Sequence, residues 1–139
     1  MMDSKRRLPS LVAGALAALW VPLTGLALAM GWRSTFQVDR PGRAIVDFIA
    51  HGSAISGPLA PHVVMAIAAI VSRRPGKVGA VATSIIGLLG VLLIGNAIAG
   101  AVSAQPIWTP RPIILAGAAL YLAFGVAFIV TAARALRAL

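Results

Sequence analysis

The chain has 139 residues, of which 60% are hydrophobic and 11% charged; it holds three acids (Asp3, Asp39, Asp47), no glutamate, and a formal charge of +9. A water-soluble domain carries roughly a quarter charged residues, and a chain with so few has no means of covering this much apolar surface. The composition excludes an ordinary soluble fold and points to lipid as the solvent, where a spanning helix needs about 20 apolar residues.

The first segment of that length covers residues 8–31, which carry no charge and follow the basic run Lys5-Arg6-Arg7. Ala27-Leu28-Ala29 fits the small-x-small pattern of a signal-peptidase site. The apolar run is about twice the usual 7–15 residues of a signal sequence, however, so a retained first span is expected. A connector at 32–43 contains Asp39-Arg40-Pro41-Gly42, a turn-forming run that precedes the second segment.

The second segment covers residues 44–72 and is interrupted only by Asp47, His51 and His62. Ionisable groups inside a span cost about 2.5–3.5 kcal/mol each on insertion scales, so they are functional candidates by default. On one continuous helix His51 lies about 40° and His62 about 60° from Asp47, which puts all three on one face together with Pro58 and Met65. His62 then falls about 16–17 Å below His51, and Asn96 of the third segment reaches the level of His51. Gly52, Gly57, Pro58 and Pro61 predict a kink or a short unwound stretch between the histidines, the device by which transporters expose backbone carbonyls at mid-membrane.

Arg73-Arg74-Pro75-Gly76-Lys77 supplies a helix stop and a permissive glycine between the second segment and the third, residues 78–104. Small residues at i, i+4 let membrane helices approach closely, and the third segment offers Gly79, Thr83, Gly87 and Gly95 on one ridge. Facing ridges are expected from Ala119, Ala123, Ala127 and Thr131 of the fourth segment, or from Ala13, Ala17, Gly25 and Ala29 of the first. The fourth, residues 112–133, follows Thr109-Pro110-Arg111-Pro112, which places an N-cap and first-turn prolines where missing N–H donors cost nothing.

Short connectors between four spans predict an all-α membrane protein: one domain over residues 1–139, with four transmembrane helices in an up-down-up-down antiparallel bundle and a kinked second helix. No alternating ten-residue segments suggest a β-barrel. With both termini inside, the inner flanks carry eight basic residues (Lys5, Arg6, Arg7, Arg73, Arg74, Lys77, Arg134, Arg137) and the outer flanks four (Arg33, Arg40, Arg43, Arg111). Cytoplasmic flanks retain Lys and Arg, so both termini are expected in the cytoplasm. Trp32 and Trp108 then mark the outer interface. The basic clusters sit beside spans instead of forming one phosphate-tracking face, so anionic lipid headgroups on the cytoplasmic side, and not nucleic acid, are the expected partners. Ten Arg against two Lys, with abundant Ala, Gly and Val, resembles the coding bias of a GC-rich bacterial genome, hence an expected place in a bacterial plasma membrane.

With no cysteine there is no disulfide, thiolate nucleophile or iron–sulfur ligand. No nucleophile elbow, paired carboxylates, zinc-protease motif or phosphate-cradling loop is present, and no enzymatic activity is expected. The leading expectation is a structural or assembly subunit of a membrane complex, with no cofactor. A second reading makes Asp47, His51, His62 and Asn96 a proton or small-cation path in a transporter or channel component. A third makes His51 and His62 haem or metal ligands, which their spacing on one helix face allows only in an oligomer.

Overall fold

A computed structural model describes residues 4–32, 44–103 and 109–138. Asp39, Trp108 and the basic residues Arg33, Arg40 and Arg43, on which part of the expected orientation rests, lie outside them. Among the described residues there are five helices and no strand: α1 (Ser4–Met30), α2 (Ala44–His51), α3 (Leu59–Val71), α4 (Gly76–Ser103) and α5 (Arg111–Leu136). Among these residues three stretches are long and apolar enough to cross a membrane, Arg7–Met30, Gly76–Val102 and Arg111–Leu136. Large apolar side chains on their outer surfaces, among them Val21, Leu88, Val102 and Leu122, are exposed. A water-soluble monomer rarely leaves so much contiguous apolar surface bare.

The second expected span is not one helix. It divides into the 8 residues of α2 and the 13 of α3, separated by the stretch 52–58. Gly52 ends α2: its φ is +74°, in the left-handed region, and its N–H donates to the Phe48 carbonyl at 3.0 Å, closing the last turn. A side chain here would also strike the Ser56 and Gly57 backbone, so the position admits only glycine on two counts. Pro58 then has no N–H to continue a helix backwards, and it stands immediately before α3. Pro61, expected to share in the kink, sits inside the first turn of α3, where proline is harmless. The wheel that put Asp47, His51 and His62 on one face assumed a continuous helix and does not carry across the break.

α1 packs on α3 and α5, α4 packs on α3 and most extensively on α5, and α2 touches α1 and α3. One core joins Leu16 of α1, Met65 and Ala69 of α3, Ile86 of α4, and Tyr121 and Phe128 of α5. A smaller cluster of Ala27, Phe48 and Ile55 seats α2 and the break against the end of α1. α4 and α5 come close at Gly90 and Gly125, where a Cβ on either would lie 2.7–2.8 Å from the other's carbonyl oxygen. Gly87 opens onto the Ala132 methyl, and the Thr83 hydroxyl donates to the Gly79 carbonyl of its own helix. Gly79 is packed against the Arg74 backbone of the turn, and Gly95 is exposed with open space beside it. On α5 the buried face runs through Gly117, Tyr121, Gly125 and Phe128, while Ala119 and Ala123 face outward.

Candidate functional site

The break would be costly in hydrocarbon if its backbone were bare, since each unsatisfied polar group costs several kcal/mol there, roughly. Its sequence and its neighbours prevent that. The Ser53 hydroxyl accepts from the N–H groups of Ile55 (3.2 Å) and Ser56 (3.0 Å), a local turn that serine side chains favour. The Ser53 N–H donates to the Ser56 carbonyl at 2.5 Å. The Ser53 and Ser56 hydroxyls lie 2.8 Å apart, and Thr24 of α1 donates to Ser56 Oγ at 3.0 Å. The Gly57 N–H donates to Tyr121 Oη of α5 at 2.5 Å, and Trp20 Nε1 of α1 donates to the Gly57 carbonyl at 2.8 Å. Five of the six N–H groups from Gly52 to Gly57 thus have acceptors.

His62 completes this arrangement. Its Nδ1 lies 2.8 Å from the Pro58 carbonyl oxygen, which only accepts, so Nδ1 carries the proton. Nε2 is then an acceptor, and the Tyr121 hydroxyl donates to it at 3.3 Å. The chain of donors runs from Gly57 N–H to Tyr121 O–H to His62, and from His62 back to Pro58. Both ends return to the same two residues of the break. His62 is 4% exposed and Tyr121 7%, with these two rings edge to face and the Trp20 ring tilted against the imidazole at 6.1 Å between centroids.

The remaining expected site residues lie elsewhere. His51 is exposed at the end of α2. Asp47 lies half-buried one turn earlier, and its Oδ2 is enclosed with no hydrogen-bond partner among the described residues. Arg43, one helical turn before it in the sequence, is outside those residues. Asn96 does meet His51 across a chamber of about 100 Å³, lined also by Ser53, Gly57 and Tyr121. Asn96, Gly57, Pro58 and Tyr121 belong as well to an apolar cleft of about 550 Å³ between α3 and α4. His62 lines this cleft and not the chamber, so the two histidines stand on different cavities. No group of three or more His, Cys, Asp or Glu side chains suited to a metal ion occurs among the described residues.

Trp20, Thr24 and Tyr121 were not singled out from the sequence. Each is an isolated polar-tipped residue in an apolar helix, and that pattern could have marked them, because in lipid such a tip needs a partner. The fold and site together define an all-helical chain with three helices able to cross a membrane and a broken helical segment held by side chains from α1 and α5. No protein-family model, curated protein or solved structure matches the chain.

Proposed function

We propose that this chain is a small integral membrane protein that crosses the bilayer four times, with α2, the break and α3 together forming the second pass, and that it serves as a structural or assembly subunit of a membrane complex. The observation that carries the reading is the use of both His62 ring nitrogens inside the protein. A metal ligand needs a free ring nitrogen, whereas here both are spent on the chain's own groups, one of them on a backbone carbonyl, as a structural clasp requires. The antiparallel course is supported by the ladder of contacts between α1 and the second pass. Ser10 Oγ accepts from Arg73 Nε at 2.7 Å near one end, and Thr24 meets Ser56 near the other. Both termini are assigned to the cytoplasm by the excess of basic flanks.

Crosslinking in native membranes followed by identification of the products tests this. A specific larger partner is expected, and a chain recovered only as a solitary monomer at native abundance overturns the assembly role. A second reading, a proton or cation path, is favoured by the chamber between His51 and Asn96, with the enclosed Asp47 oxygen, which has no partner among the described residues, one turn before His51. It requires a flux in reconstituted vesicles that His51→Ala removes while His62→Gln leaves it largely intact, since His51 lines the chamber and His62 does not.

A further inference from the structure

The chamber and the cleft meet at Gly57, Pro58, Asn96 and Tyr121. At that junction the hydrogen-bonding capacity of Gly57 and Tyr121 is committed to the clasp. Asn96 is different: it is exposed to both spaces, and its amide bonds no other side chain or backbone group among the described residues. A primary amide left bare in an apolar setting is unfavourable, and it has both a donor and an acceptor to satisfy. Beyond it the cleft is walled by Val64, Met65, Leu89, Leu92 and Leu93, and its volume lies within the roughly 300–1,000 Å³ of small-molecule sites.

We propose that the cleft binds a long-chain carboxylic acid, its head paired with Asn96 and its tail laid between α3 and α4 along Leu89 and Leu92. The head is the neutral acid. Its carbonyl accepts from the Asn96 N–H, and its O–H donates to the Asn96 carbonyl, a cyclic pair that satisfies four polar atoms without burying a charge. Among the described residues no acidic side chain lines either space. A hydrocarbon or a phospholipid acyl terminus would leave the amide bare, an ester lacks the donor, and an ammonium head would find no counter-charge. The proposal rests on the reading of the chain as a membrane protein.

The test uses the full chain in lipid nanodiscs with Trp32→Phe and Trp108→Phe, which leaves Trp20 as the sole tryptophan. Trp20 lies 6.1 Å, ring to ring, from His62 on the cleft wall, within reach of a quencher bound there. Titration with a dibrominated octadecanoic acid should quench its fluorescence saturably, and Asn96→Leu should weaken the apparent affinity about tenfold, the loss expected with a strong hydrogen-bond pair. Unbrominated acid should compete, and its methyl ester should not. Equal competition by the ester, equal saturable quenching by a dibrominated phospholipid, or an unchanged affinity in Asn96→Leu overturns the proposal. The competition is read on the chain with native Asn96, so it stands even where the variant fails to assemble. Resistance of the protein to alkaline washing of membranes reports separately on the membrane reading: a retained chain without saturable quenching sinks the ligand alone.

Discussion

His62 and Tyr121 act on each other through one hydrogen bond and on the backbone through two more, so removing either strands a polar group in the interior of the protein. Tyr121→Phe leaves the Gly57 N–H and His62 Nε2 without partners. It should lower stability by about 1–3 kcal/mol in detergent unfolding titrations, the usual cost of an orphaned buried group. Because the pair is coupled, the double variant with His62→Ala should cost less than the sum of the two single losses, by about 0.5–3 kcal/mol in a double-mutant cycle. Strict additivity would show that the two side chains serve the break independently. Gly52→Ala should be harmful in its own way: it forces a side chain onto φ +74° and into the Ser56 and Gly57 backbone. A loss of more than about 1 kcal/mol in the same titration is expected, from the left-handed backbone alone.

At the scale of elements, the α4–α5 contact rests on backbone proximity. Gly90→Leu or Gly125→Leu should separate the helices and lower the unfolding midpoint, whereas Gly95→Leu, facing open space, should leave it nearly unchanged. The chain has no cysteine, so a single engineered pair is easily read. Cysteines at positions 87 and 132 should form a disulfide on mild oxidation, because a Cβ at 87 falls 3.3 Å from that of Ala132, close to the 3.5–4.5 Å range such bonds use. Mass spectrometry of the oxidised protein checks it. These contacts also show where the sequence was readable and where it was not. Apolar run length alone located α1, α4 and α5, since lipid imposes the length directly, and the glycines and Pro58 announced the break. Choosing Gly90 and Gly125 over Gly79 and Gly95 was beyond reach: Gly and Ala recur so often in α4 that several ridges satisfy the same spacing, and only the partner helix decides. Asp47, His51 and His62 were legible as unusual residues, but their shared face was not, because one unwound turn resets the helical phase of everything after it.

For the molecule as a whole, the arrangement predicts which surfaces share a side of the membrane. With both termini inside, single cysteines at positions 77 and 137 should react with a membrane-impermeant maleimide only after the cells are opened, and one at position 111 should react in intact cells. Labelling of position 77 from outside would invert the orientation, and labelling of 77 and 111 from the same side would remove a pass. The exposed apolar girdle of Val21, Leu88, Val102 and Leu122 fits continuous lipid contact, and the same surface would drive aggregation in water.

On the proposed four-pass reading, the break also implies an order of events during biogenesis. At 13 residues, α3 is shorter than the about 20 needed to span, so the second pass would enter the bilayer with an uncoiled stretch that cannot satisfy itself. Trp20 and Thr24 are already synthesised when Gly57 and Ser56 emerge, but Tyr121 is made 64 residues after Gly57. Until α5 arrives the newborn hairpin carries an open N–H that a chaperone, the insertion machinery or a stray water must tend, and a chain truncated after α4 should be the form that quality-control proteases clear first.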